Sequence, residues 1–112
     1  MITMKKIALS GLAVMALTAA APAFALTASV DEVTVKTIDD RKRIAVTKTH
    51  DNDAQVKGQY KRNGEGGSVR TIWNKNEYAS TVKSGTGARI YAVKACEYKN
   101  NWPDDCSNWV TR

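Results

Sequence analysis

Val56-Lys57-Gly58-Gln59-Tyr60-Lys61 and Val69-Arg70-Thr71-Ile72-Trp73-Asn74 flank Asn63-Gly64-Glu65-Gly66-Gly67, and the reading of this stretch decides the fold. Val56, Gly58 and Tyr60 alternate with Lys57, Gln59 and Lys61. Val69, Thr71 and Trp73 alternate with Arg70, Ile72 and Asn74. A period of two with one polar set is the signature of a strand with one wet face. The glycines between the runs permit positive φ, so the pair reads as a hairpin. On this reading Trp73 shares a face with Val69 and belongs to the core.

The same pattern extends outward. Upstream, Ile44, Val46 and Lys48 alternate with Ala45, Thr47 and Thr49, and Val33, Val35 and Thr37 alternate with Thr34 and Lys36. Downstream, Ala88 to Cys96 is rich in β-branched and aromatic residues. Asp39-Asp40, Asp51-Asn52-Asp53, Ser84-Gly85-Thr86-Gly87 and Trp102-Pro103-Asp104-Asp105 mark turns. No window carries a helical stripe. The expected fold is all-β, a small antiparallel β-sandwich or barrel.

The N-terminus reads as an export signal. Lys5 and Lys6 precede an uncharged run from Ile7 to Ala21, Pro22 breaks it, and Ala23-Phe24-Ala25 offers small residues where a signal peptidase reads them. Cleavage after Ala25 is expected, so residues 1–25 are a signal peptide, no stable membrane anchor remains, and the product is secreted and extracellular. No cysteine follows the run and no twin arginine precedes it, which points to the general export route. Leu26 to Arg43 forms an N-terminal arm or, more simply, the first strand; residues 44–112 form the β-domain.

The product would keep 15 of the 17 basic residues and all 11 acidic ones, a net charge of +4 with His50 neutral. At 87 residues, Leu26 to Arg112, such a domain builds a modest core, and outside the cell it is usually stapled. Cys96 and Cys106 are the only cysteines, so one pairing exists, and export favours the disulfide. Zinc would need four ligands, more than two cysteines and one histidine supply.

No catalytic constellation emerges. His50 sits at a strand-to-turn junction with no nucleophile at a telling spacing. Asp51-Asn52-Asp53 opens like a calcium loop, but no glutamate follows at the EF-hand position. The acidic pairs fit turn and capping roles. No enzyme activity and no cofactor are expected. Candidate contact residues are the basic cluster Arg41-Lys42-Arg43 and Trp102, which lies at a turn inside the disulfide loop. Lys57, Lys61, Arg62, Arg70 and Lys75 flank the glycine hairpin and suit an anionic surface, although they read most simply as a solvated face.

Ala95-Cys96, a short loop, Cys106-Ser107-Asn108-Trp109, and Ile72-Trp73-Asn74 on an earlier strand together resemble a group of small secreted actinobacterial β-domains. Within this size class, the adaptor of the streptomycete umbrella toxin particles is a disulfide-containing β-domain that joins a lectin-bearing subunit to the toxin stalk through an N-terminal extension. The likeness lies in size, export, charge and fold class, with no residue-by-residue correspondence. It implies a non-catalytic module that binds a secreted protein partner. The alternatives are a small antimicrobial or toxin acting on anionic envelopes and an inhibitor of a secreted enzyme. Nucleic acid is not an expected target.

Overall fold

Residues 24–99 and 102–111 are described in a computed structural model; apart from Phe24 and Ala25, the predicted signal peptide lies outside them. The alternation at 33–37 and 44–48 produces β2 (Val33–Ile38) and β3 (Arg43–Lys48), paired from Val33 opposite Lys48 to Ile38 opposite Arg43. β1 (Thr27–Val30) joins β2 through the two-residue turn Asp31-Glu32, and β6 (Thr81–Lys83) covers the other side of β3. Leu26 to Arg43 is therefore two strands, the turns that follow each, and the first residue of β3. Its first residue is anchored by Thr37, whose Oγ1 accepts from the Leu26 amide and whose amide donates to the Leu26 carbonyl, both at 2.9 Å.

The second sheet is built on β4 (Val56–Arg62), flanked by β5 (Arg70–Asn74) and β7 (Ile90–Glu97). β8 (Asp105–Cys106) and β9 (Val110–Thr111) pair with successive parts of β7 on its far side. All pairing is antiparallel and no helix occurs among the described residues. Of the two architectures the sequence allowed, the sandwich of two sheets is the one formed.

Val33, Val35, Ile44 and Val46 from the first sheet meet Val56, Tyr60, Ile90, Val93 and Ala95 from the second. Each valine or isoleucine removed from water contributes about 1.5–3 kcal/mol, which makes this layer the main source of stability. The sheets approach most closely at Gly58, where a β-carbon would lie 2.7 Å from Cγ2 of Val46 and 2.9 Å from Cγ2 of Val35. One polar link between the sheets is Asn74, fully buried at the end of β5. Its Nδ2 donates to the carbonyls of Val46 and Ser80 at 3.0 and 3.1 Å. Its Oδ1 accepts from the Asn76 amide and the Ser80 hydroxyl at 3.0 and 3.1 Å. Every hydrogen-bonding position the buried amide needs is thus occupied.

Asn74 also reverses one expectation. The register of β5 on β4 places Asn74 opposite Val56 and Ile72 opposite Gly58, on the core side. Trp73 and Val69 therefore face outward, at 37% and 49% exposure. Alternation fixes which residues share a face, but not which face is buried. Here the satisfied amide of Asn74 claims the interior, and the ring that looked like core mass lies outside.

The disulfide forms between Cys96 and Cys106, directly opposite each other on β7 and β8. Ser107 prolongs the pairing: its amide donates to the Ala95 carbonyl at 2.8 Å, and its hydroxyl accepts from the Ala95 amide at 3.0 Å. Ser84 does the same for β3 beside Ile44, with an amide-to-carbonyl bond of 3.0 Å and an amide-to-hydroxyl bond of 2.9 Å.

The registers also sort the charges along the strands. One end of the sandwich holds the β2–β3 turn, the glycine hairpin and the 84–89 loop. It gathers all five described arginines with Lys42 and Lys83, against Asp39, Asp40 and Glu65. The opposite end holds Asp31 and Glu32 in the β1–β2 turn, and Asp51 and Asp53 between β3 and β4. Glu77 before β6, Glu97 closing β7, and Asp104 and Asp105 at β8 join them, against Lys48, Lys57, Lys75 and Lys99. Seven cations to three carboxylates at one end become four to eight at the other.

Candidate functional site: a lysine–tryptophan face

β4 buries Val56, Gly58 and Tyr60, so its alternate residues Lys57, Gln59 and Lys61 stand on the outer face of the second sheet. Across β5 they meet Trp73 and Thr71, and across β7 they meet Cys96, Lys94 and Ala92. Antiparallel pairing brings such side chains within contact distance on one face. The Nζ atoms of Lys57 and Lys75 lie 4.9 and 5.3 Å from the Trp73 ring centre. At the other side of the face, Lys61 and Lys94 place their Nζ atoms 4.5 and 4.7 Å from the ring centre of Trp109. Each indole thus carries two ammonium groups, attracted by the negative face of its π system. Tyr98, itself exposed, meets Trp73 edge-on with ring centres 6.3 Å apart.

The disulfide loop borders this face. Asp104 Oδ2 accepts from Lys57 Nζ at 2.6 Å, so the stapled segment and the central strand are ionically joined. Trp102 projects from the same loop at 74% exposure, beside Lys99 and Pro103.

The predicted basic cluster divides by role. Residues 39–42 form the β2–β3 turn, with Asp39, Asp40 and Arg41 in succession at φ of 52°, 58° and 66°. Such a run costs energy in non-glycine residues, least for aspartate, and the surroundings must hold it. Here the Arg41 carbonyl accepts from the Ile90 amide at 2.7 Å, and the Arg41 Nε donates to the Ile90 carbonyl at 3.0 Å. Arg41 is consequently buried. Arg43 spends its guanidinium on the Ser84 carbonyl at 2.9 Å and on Asp39 at 3.2 Å. Lys42 alone of the three is exposed.

Arg62 closes this end. Its Nη1 donates to the carbonyls of Lys42 and Ala88 at 3.0 and 2.6 Å, and its Nη2 to Gly85 at 2.9 Å. Nearby, Arg70 donates to both oxygens of Glu65 at 2.8 and 2.9 Å, and those bonds hold the Glu65 carboxyl below its ordinary range. At the acidic end, burial and then the charge of Glu32 push the Glu97 carboxyl upward. His50 is exposed beside Thr49, 3.4 Å from its hydroxyl. Among the described residues no cluster of three or more His, Cys, Asp or Glu is placed to hold a metal ion.

The sequence reading singled out Trp102 and the basic turn but missed the ladder of Trp73, Trp109 and four lysines. The signal was available in part: Lys57 and Lys61 were on the wet side of β4, but Trp73, on the neighbouring strand, read as core, and Trp109 lies in a segment remote in sequence. No protein-family model matches the chain, and no curated protein or solved structure matches it closely enough to indicate a relative.

Proposed function

We propose that this chain is a secreted, non-catalytic protein-binding module, suited to an adaptor role in an extracellular assembly, and that its contact surface is the lysine–tryptophan face. The observation that supports this reading is the pair of indoles, each holding two ammonium groups on the outer face of one rigid sheet. Lysines lying on rings have less freedom to lose when they meet carboxylates, and the rings supply the apolar area typical of binding anchors. The partner that fits is a protein surface carrying carboxylates beside an apolar patch. A uniform polyanion such as nucleic acid would also have to pass Asp104 and Asp105 at the margin of this face.

The test is capture of tagged chain from the culture medium of the producing cells, with wild type beside Trp73→Ala and the Lys61→Glu/Lys94→Glu pair. A secreted protein retained in fixed ratio by wild type and lost by both variants, at unchanged melting temperature, supports the reading. Equal recovery by all three overturns the assignment of the face. Tighter binding to heparin or duplex DNA than to any protein overturns the partner class.

Trp102 favours a second reading. A ring at 74% exposure on a stapled loop has the shape of an inhibitor's probe for an enzyme cleft. In that case Trp102→Ala abolishes inhibition of a secreted enzyme while partner capture through Trp73 persists.

A further inference from the structure

The charge sorting along the strands goes beyond the lysine–tryptophan face, although Lys57 and Lys75 belong to both. At the basic end, Lys42 and Arg89 are exposed on adjoining loops, above the guanidinium groups that tie those loops together. At the acidic end, Asp51 and Asp53 are exposed on the β3–β4 loop. Asp31, Glu32 and Asp105 are close enough to Glu97 to oppose its ionisation, so the carboxylates at this end repel one another. Backbone hydrogen bonds hold turns at both ends, among them Lys42 N to the Ile38 carbonyl at 3.2 Å and Thr49 N to the Glu32 carbonyl at 2.9 Å.

We infer that copies of this chain associate head to tail, the arginine-rich end of one against the acidic end of the next. The surface that complements each end in sign is the other end of the same molecule: seven cations to three carboxylates facing eight carboxylates to four cations, with Arg41, Arg62 and Lys48 buried behind the exposed charges. Bringing the ends together sets attraction between them against the like-charge repulsion within each. The contact is heterologous, so it leaves a free basic end and a free acidic end and propagates as an open row. It is made between exposed charges, so salt weakens it: the screening length falls from about 30 Å at 0.01 M to about 3 Å at 1 M ionic strength.

Sedimentation velocity on protein purified from cells expressing the full chain tests this. In low salt the weight-average sedimentation coefficient should rise with concentration and pass the dimer value, and in about 0.5 M salt it should return to that of the monomer. Asp51→Lys/Asp53→Lys neutralises the acidic end, and Lys42→Glu/Arg89→Glu neutralises the basic end. Each variant alone should remain monomeric in low salt. Mixed in equal amounts, they retain one native acidic end and one native basic end between them, and should form a 1:1 pair that grows no further. The inference is overturned by a wild-type chain that stays monomeric in low salt at every concentration. It is equally overturned by association that stops at a dimer, or by end variants that associate as wild type does. Trp73→Ala should associate normally, so the row and the partner-binding face fail or survive separately.

Discussion

The guanidinium of Arg62 occupies the space that a β-carbon on Gly87 would need: that carbon would lie 2.5 Å from Nη1 and 2.7 Å from Cζ. Arg62 is held there by three carbonyls from two segments, Lys42 on one side and Gly85 and Ala88 on the other. The close approach is thus what lets one side chain tie the β2–β3 turn to the loop before β7.

Gly87→Ala should destabilise the domain by about 1–3 kcal/mol, because the tethered guanidinium has little room to yield. Arg62→Ala should cost about 2–3 kcal/mol by stripping partners from the carbonyls it serves. In the double variant the alanine at 87 has nothing left to strike, so urea denaturation should give a loss clearly smaller than the sum of the two.

Asn74→Ala should lower stability by about 2–4 kcal/mol, since it removes the partner of the Asn76 amide and one donor to the buried Val46 carbonyl, and opens a small void. Chemical denaturation followed by tryptophan fluorescence checks this. A loss below half a unit on that scale would mean water takes over the role of the amide.

Glu97→Gln should stabilise the domain at neutral pH, raising the melting temperature by about 2 °C. The folded chain raises the proton affinity of Glu97, so folding is most favourable with the carboxyl protonated, and that advantage is lost as pH rises through the folded value. The difference between variant and wild type should therefore shrink as the pH is lowered below the ordinary glutamate range. Paired melting curves across pH 3 to 8 read this out, and a gap that stays constant would sink the assignment.

Replacing both cysteines by alanine should cost about 2.5–3 kcal/mol, as expected for releasing a loop of this size in the unfolded chain. Locally it frees β8 from β7, so the Lys57–Asp104 contact should loosen and the emission of Trp73 should change in the native state. Unchanged emission alongside the stability loss would show that the pairing of Ser107 with Ala95 suffices to hold the segment.

By itself the sequence determined the strand runs at 33–37, 44–48 and 56–61, the turns between them and the disulfide. Period-two alternation, glycine and aspartate punctuation and a single cysteine pair are local or combinatorial signals, and they can be read without knowing what lies opposite. The short strands β1, β6, β8 and β9 were not legible, because two to four residues carry too little pattern and exist only where β2, β3 or β7 offers an edge to pair with. Only the tertiary structure decided that Trp73 faces out, that Arg41 is buried as a brace rather than presented, and that lysines from β4 and β7 meet indoles from β5 and the segment before β9. It alone decided, too, that the arginines and the carboxylates collect at opposite ends. The reason is common to all four: which face of a strand is buried, and which charges become neighbours, depends on register with strands remote in the chain, and no residue carries that information alone.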